Sequence, residues 1–393
     1  MPWSQATPMD QKTQFIADYL RGLLDITELC ARYGISRKTG YIVIDRYLRE
    51  GPAGLEERSR RPRQSPNQTA PEIVAGLIEA RRRHPSWGAK KLLPLLHKRQ
   101  PRWELPARST VCDILSRHGL VPKRRRRRAI GHPGAPTSTM VTPNDVWCAD
   151  YKGQFKTGDG RYCYPLTVTD GFSRYLLGCQ ALDSTAVALA KPVFTRLFHE
   201  FGLPRRIRTD NGVPFATNTL ARLSTLSAWW VRLGVMPEFI EPGKPQQNGR
   251  HERMHRTLKA ETARPAAATL RAQQRKFDRF RAEFNDERPH EALDQQTPAS
   301  CYVHSSREMP RKLPPLEYPD RFEVRLVSTN GGIRWNKRWV NVSSVCAREY
   351  IGLEEIDDGI WNVYFGPLKL GRLLERHMRI EDAYGRLKRH HHV

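Results

Sequence analysis

Three acidic residues in separate local contexts have the types and spacing for metal-assisted chemistry on phosphodiesters. Asp150 lies in VWCADYKGQF, Asp210 in RIRTDNG and Glu252 in PQQNGRHERMHRTLKAE. Breaking or exchanging a phosphodiester needs a nucleophile at neutral pH and neutralisation of the charge that builds on the phosphate oxygens. Two Mg2+ ions roughly 3.5–4 Å apart meet both needs. Mg2+ is a hard cation that prefers carboxylate oxygens and water, so a site needs a few Asp or Glu side chains converging from different elements. Asp150 at mid-strand, Asp210 just past a strand and Glu252 on a helix could converge in this way. Arg256 follows Glu252 by four positions and Lys259 by seven, so one helical face offers a carboxylate and two cations for phosphate. Met254 and Leu258 read as the buried face of that helix. A plain solvated amphipathic helix carries similar charge patterns, so this helix alone decides little.

The bulk charge points the same way. Lys and Arg total 66 and Asp and Glu 41 in 393 residues, so the net charge is 66 − 41 = +25. Such a surplus implies a polyanionic partner or a membrane surface. No apolar run is long enough to span a bilayer, and the N-terminus MPWSQATPMD lacks a basic stretch followed by an apolar one. Nucleic acid is the expected partner, the membrane is not, and the expected place is the cytoplasm. The seven cysteines form no CxxC pair and no zinc spacing, so neither a disulfide nor a structural zinc is expected. The ending RHHHV reads as an unstructured tail, with a metal-binding stub as the alternative.

Those side chains need elements to position them. Residues 9–56 read as a helix-turn-helix unit. Lys12–Arg21 and Ile26–Tyr33 form two helices, the second with Leu29 and Ala31 facing inward. Gly34 turns the chain, and Ser36 caps a third helix over Arg37–Glu50. Tyr41, Ile44, Tyr47 and Leu48 lie at helical spacing there, leaving Arg37, Lys38, Thr39 and Arg46 for DNA contacts. The stretch 57–70, containing ERSRRPRQSPNQT, is a basic linker whose Arg60, Arg61 and Arg63 could follow a phosphate backbone. Residues 71–122 read as a second, winged helix-turn-helix: a helix from Pro71 to about Arg83, then WGAKKLLPLLHK, then STVCDILSRHGL capped by Ser109. A compact helical spacer is the alternative. The stretch 123–143 joins KRRRRR, with Arg124, Arg125 and Arg126, to a Pro/Gly linker, and reads as a nucleic-acid arm.

From residue 144 to 305 strands and helices alternate. Val146–Phe155, Tyr162–Thr169, Tyr175–Leu182, Arg206–Thr209 and Pro237–Ile240 read as strands. Helices are expected from Ser184 to about Phe201, over Thr219–Leu233, and over about Arg250–Thr262. The implied fold is a mixed sheet flanked by helices. Residues 318–383 read as short strands broken by turn residues, with NGG and DDG as hairpin signals, in the manner of a small SH3-like β-barrel that could hold DNA.

VWCADYKGQF, TVTDGFSRY, RTDNGVPF, PQQNGRHERMHRTLKAE and FNDERPHEALDQQTPAS follow one another in that order. This series resembles the integrase catalytic core shared by retroviral integrases and insertion-sequence transposases. ISRKTGY, the SRRP linker, HPSWGAKKL and the C-terminal barrel resemble single-frame bacterial transposases. The resemblance implies an RNase H-like fold with a DDE triad in residues 144–305. It makes Asp150, Asp210 and Glu252 catalytic metal ligands for two Mg2+ ions per site, with Mn2+ able to substitute. Arg256 and Lys259 would hold the element's end, and Asp170 would be structural or outside the ligand set. His251 and His255 are expected in DNA contact or in solvent.

The implied activity is that of a DNA transposase. It would bind terminal inverted repeats, free 3′-OH groups by hydrolysis and join them to target DNA. The double-stranded DNA partner is then both the element's ends and the target, handled at the bacterial nucleoid by a dimer at least and plausibly a tetramer. Two rival readings are a non-catalytic DNA-binding repressor and a nuclease that cuts without joining. One departure stands out: 41 residues (211–251) lie between Asp210 and Glu252, longer than is usual for that superfamily. The extra length is assigned to an extended helix in ARLSTLSAWWVRLG. The zinc-binding domain found at the N-terminus of retroviral integrases is replaced here by helix-turn-helix units, so end recognition should follow bacterial rules.

Overall fold

A computed structural model describes residues 7–58, 68–121, 138–241 and 249–382. Arg60, Arg61 and Arg63, Arg124, Arg125 and Arg126, the stretch 242–248 and the histidine-rich tail lie outside the described residues. The chain divides into two compact units, Met1–Ala70 and Pro71–Val393.

The first unit holds α1 (Pro8–Arg21), α2 (Ile26–Arg32) and α3 (Arg37–Glu50). Thr7 with Asp10 and Asp25 with Glu28 form reciprocal caps on α1 and α2, and Ser36 accepts from the Thr39 amide at the start of α3. The core is Phe15, Ile16, Leu29, Cys30, Ile44 and Leu55. Cys30, not Ala31, faces inward beside Leu29; Ala31 is exposed. The crossing of α2 over α3 requires glycine at position 40, where a Cβ would stand 2.5 Å from Cys30 Sγ.

The second unit opens with α4 (Pro71–Arg83), α5 (Ala89–Arg99) and α6 (Arg108–Arg117). Ser109 does not cap α6: the cap position is Ala107, and Ser109 falls inside the first turn. The alternating region that follows forms β1 (Val146–Tyr151), β2 (Phe155–Lys156), β3 (Tyr162–Asp170), β4 (Leu176–Leu182), α7 (Val187–Phe201), β5 (Arg206–Thr209), α8 (Thr225–Arg232), β6 (Met236–Phe239), α9 (Gly249–Thr262) and α10 (Leu270–Ala282). The expected strand to Phe155 is interrupted at 152–154, and α7 starts after Ala186. Ser184 still contributes, accepting from the Ala186 amide.

The sheet runs β2-β3-β1-β5-β6, with β4 also on β3. β3 is antiparallel to β1 and β4, whereas β5 is parallel to β1 and β6. One face packs Trp147, Ala149, Leu166, Val168 and Ile207 against α7 and α8. The other packs Cys163, Leu176 and Cys179 against Met254 and Leu258 of α9 and Phe277 and Phe280 of α10. Strand alternation therefore turns Asp150, Thr167 and Thr169 toward the α9 side.

The stretch after Asp210 is not one long helix. Residues 216–223 run as a turned segment, and α8 begins only at Thr225, capped by Ser224. Leu220, Ala221 and Leu223, with Ala228 and Val231 of α8, join a core that includes Val327, Ile333, Leu353, Val363 and Leu373 of the C-terminal region. The strands of that region are β7 (Glu323–Leu326), β8 (Gly332–Trp335), β9 (Arg338–Asn341), β10 (Tyr350–Asp357), β11 (Ile360–Phe365), β12 (Leu368–Leu374) and β13 (Arg379–Asp382). Five of them pair in the order β13-β12-β11-β10-β7, and β8 pairs with β9. DDG makes the β10–β11 turn, with Gly359 at φ 66°. NGG does not join paired strands; the neighbouring tight hairpin is at Asn336–Lys337, both at positive φ.

Candidate active site

The three acids come from three elements near the C-terminal ends of the neighbouring strands β1 and β5. Asp150 is on β1, with its side chain about one-fifth exposed. β5 runs parallel beside β1 with Cys148 opposite Arg208, so the residue two past each pair brings Asp210 alongside Asp150. The Gly212 amide donates to Asp210 Oδ1 at 3.1 Å. Asn211 ties the same turn down, donating to the Ile240 carbonyl and accepting from Arg222. Glu252 lies exposed in the first turn of α9.

Asp150 and Glu252 line a cavity of about 690 Å³ with Lys152, His255, Arg256 and Lys259. Glu252, Arg256 and Lys259 share the open face of α9, while Met254 and Leu258 are buried, as the spacing predicted. Burial, and then the charges of Asp210 and Glu252, push the Asp150 carboxyl up to about 7. The charges of Asp210 and Glu252 thus act on Asp150, and the donors the three acids offer are all oxygen. That set suits a hard divalent cation.

Asp170 stands apart. It is almost fully buried, and its carboxylate accepts from the amides of Asn144 and Ser173 and from the Ser173 hydroxyl, at 2.7–2.8 Å. Its oxygens are spent on joining the ends of β1 and β3.

His251 and His255 are neither in solvent nor on an open DNA-contact face. Both are buried, at 1% and 3% exposure, on the inner side of α9. Thr167 Oγ1 lies 2.7 Å from His251 Nε2 and 2.6 Å from His255 Nε2, and Thr169 Oγ1 lies 2.8 Å from His251 Nδ1. His255 Nδ1 stands 3.6 Å from Asp150 Oδ2. Burial lowers His251 to about 3, and burial followed by the charges of His251 and Lys152 lowers His255, so both rings are neutral. The donor atoms of Asp150, His251 and His255 all lie within 4.8 Å of one another. Both nitrogens of His251 are taken by threonine hydroxyls, however, so the histidines form a support behind Asp150. The signal was present in the sequence: His251, Met254, His255 and Leu258 repeat at three and four, the same stripe as the apolar face.

In the first unit, Arg37 and Lys38 are exposed beside Tyr41, Ile42 and Asp45 along one side of α3. Thr39 Oγ1 is spent on Ser36, and Arg46 is half-buried under the turn 51–55. Of the four apolar residues expected to pack, Ile44 is buried, but Tyr41 and Leu48 are exposed. Tyr41 and Ile42 are thus contact candidates that periodicity assigned to a core or passed over.

Among α4–α6, the loop and helix ends dock on the catalytic region. Ser86 Oγ donates to Glu261 Oε1 at 2.6 Å, His84 Nδ1 lies 3.0 Å from Glu283 Oε1, and Lys90 pairs with Glu291. Trp87 is fully buried under the Arg288 guanidinium, 5.6 Å from the ring centre.

Comparison with known proteins fits this arrangement. Residues 141–245 and 233–298 each match a family described as integrase core domain. Residues 11–63 match a helix-turn-helix domain and 39–115 a homeodomain-like domain. The chain is 26% identical to the insertion element IS476 39.2 kDa protein of Xanthomonas euvesicatoria, over 63% of this chain and 69% of that one. Residues 141–298 thus match an integrase core, and the chain is similar to proteins of bacterial insertion elements. It is likewise 25% identical to the insertion element IS407 31.7 kDa protein of Burkholderia multivorans, over 58% of this chain and 79% of that one. The HTLV-2 integrase catalytic core aligns over 42% of this chain and all of its own length, at 14% identity and a TM-score of 0.34. The residues matching the integrase core form a mixed sheet flanked by helices, and the helix-turn-helix match precedes them. No helix among the described residues is long and apolar enough to cross a membrane.

Proposed function

We propose that this chain is a DDE transposase that binds the terminal inverted repeats of its element, frees their 3′-OH groups and joins them to target DNA. The observation that carries the reading is the convergence of Asp150, Asp210 and Glu252 near the C-terminal ends of neighbouring strands of an integrase-core sheet, beside the exposed Arg256 and Lys259. The three carboxylates act as ligands for two divalent ions, Mg2+ or in its place Mn2+. Bound there, the ions supply an activated nucleophile and neutralise charge on the scissile phosphate. Arg256 and Lys259 hold the phosphates flanking the cut. In the first step a water oxygen bonds to phosphorus and the 3′ oxygen leaves, taking a proton. In the second, that 3′-OH attacks a target phosphate in line: one ester bond forms, one breaks, and no ATP is consumed.

We assign end recognition to residues 9–56, with Arg37, Lys38 and Arg46, and to a second helical unit over 71–122. Arg60, Arg61, Arg63 and Arg124–Arg126 serve as phosphate contacts in the linkers 57–70 and 123–143. The catalytic core spans 144–305. Residues 318–383 act as an SH3-like DNA-holding module. Two ends must be processed together, so the working form is a dimer or tetramer acting on DNA of the bacterial nucleoid.

The test is strand transfer with oligonucleotides carrying the element's ends. Asp150→Asn, Asp210→Asn and Glu252→Gln are each expected to abolish Mg2+-dependent joining while leaving end binding intact. Joining that survives any one of the three removes that residue from the ligand set. Cutting without joined product from the unmodified protein would favour a nuclease.

A further inference from the structure

We propose that His255 is a positioning residue that orients the Asp150 carboxylate for cation binding, itself held in one tautomer by hydrogen bonds through Thr167, His251 and Thr169. The proposal rests on the reading of Asp150 as a metal ligand. It goes beyond that reading by assigning a role to four buried polar side chains that the ligand set does not use.

With both rings neutral and Asp150 carrying the charge a cation requires, one assignment gives each ring nitrogen a partner of the right kind. His255 Nδ1 faces Asp150 Oδ2 at 3.6 Å. A nitrogen lone pair aimed at a carboxylate is repelled, so Nδ1 bears the hydrogen. At this distance the contact is an electrostatic one rather than a hydrogen bond, which leaves the carboxylate room to turn as it takes up an ion. With Nδ1 protonated, the Nε2 of the neutral ring is an acceptor. The Thr167 hydroxyl lies 2.6 Å from it and 3.1 Å from the Asp150 carbonyl oxygen, and its one hydrogen goes to the nearer acceptor. The Thr167 oxygen is left to accept from His251 Nε2–H at 2.7 Å. His251 Nδ1 is then an acceptor, and the Thr169 hydroxyl donates to it at 2.8 Å. One direction of donation runs from Thr169 to His255, whose Nδ1–H then faces Asp150.

The fold builds this chain by register. Thr167 is the β3 partner of Asp150 on β1, so its side chain stands beside Asp150 on the same face. His251 and His255 are four apart on α9 and project together onto that face, their rings 4.5 Å apart at 75°. Glu252 lies between them on the open side of the helix. One helix thus carries a ligand outward and the support for the opposing ligand inward. Groups that orient a metal-binding side chain commonly change affinity about tenfold to a hundredfold when removed.

Two measurements on the full-length protein test the proposal. In nitrogen-15 histidine spectra, His255 should show the Nδ1–H tautomer and His251 the Nε2–H tautomer. An Nε2–H tautomer at His255 overturns the proposal, because its free lone pair would then face the site. In Mg2+ titration calorimetry, His255→Leu and Thr167→Val should weaken binding by about tenfold to a hundredfold. His255→Asn, which keeps an N–H toward Asp150, should restore most of the affinity, and excess Mg2+ should recover joining. Equal loss in His255→Asn and His255→Leu, with both folded by thermal unfolding, also overturns it. Asp150→Asn separates the two levels. If it binds Mg2+ as the unmodified protein does, the ligand reading fails. If it loses binding while His255→Leu and Thr167→Val keep it, only the positioning role fails.

Discussion

Asp150 and Thr167 face each other across β1 and β3, and that pairing places a carboxylate at the surface of the site and a hydroxyl behind it. The acids, Arg256 and Lys259 could be chosen from type and local context, because charge in a recognisable setting is a signal within a few residues. The roles of His251 and His255 could not be: their spacing with Met254 and Leu258 marks a buried stripe, but what that stripe faces is supplied by the sheet. Burial among threonines then reverses the expectation. Arg256 and Lys259 remain on the open face. Arg256→Ala and Lys259→Ala are expected to weaken end binding and to reduce the slope of log affinity against log salt by about one each. A slope unchanged in both variants would remove them from the DNA contacts.

At the scale of elements, α9 and the strands β1, β3 and β5 appear where hydrophobic spacing located them, since alternation and the 3.6 period are read locally. The stretch after Asp210 differs. Its residues 219–233 carry a helical pattern, yet Leu220, Ala221 and Leu223 leave the helix to pack under the C-terminal strands, and the Ala221 amide donates to Asp382. Local propensity loses there to a non-local core. A second element-level effect sits where α5 meets the catalytic region. Lys91 lies above the Trp87 ring, and burial, then the charges of Arg288 and Arg253, lower its pKa to about 8 against the opposing pull of Glu261 and Glu291. The unfolded chain keeps this proton up to about 10.5, so between pH 8 and 10.5 it binds more protons than the fold, and stability rises with pH. The cost is fully present below pH 8 and gone above 10.5. Urea midpoints at pH 7.5 and 9.5 should show this rise in the unmodified protein and a flatter profile in Lys91→Met.

For the whole molecule, the two compact units respond differently to removal. Residues 1–70 contain their own core around Phe15, Leu29 and Ile44, whereas the C-terminal strands share a core with Leu220, Ala228 and Val231 of the catalytic region. Arg232 adds an ion pair to Glu349 and donates to the Pro314 carbonyl. A chain lacking residues 1–70 should stay folded and keep metal-dependent cutting while losing selectivity for its ends. A chain ending at residue 311 should unfold at lower urea or aggregate, because it exposes Leu220, Leu223 and Val231. Gel filtration and urea unfolding of the two truncations check this, and a stable, monodisperse 1–311 fragment would show that the shared core is dispensable.

The sequence by itself determined the basic charge and the order of helical units, mixed sheet and C-terminal strands, and it singled out the three acids and their neighbouring cations as candidates. These are local or additive properties of the chain. Only the tertiary structure decided that the two histidines stand behind Asp150, that the segment after Asp210 serves as a seat for the C-terminal strands, and that Tyr41 and Ile42 face outward. Each of these depends on which face of an element meets another far away in sequence. A period locates a buried stripe, but the partner that covers it comes from packing.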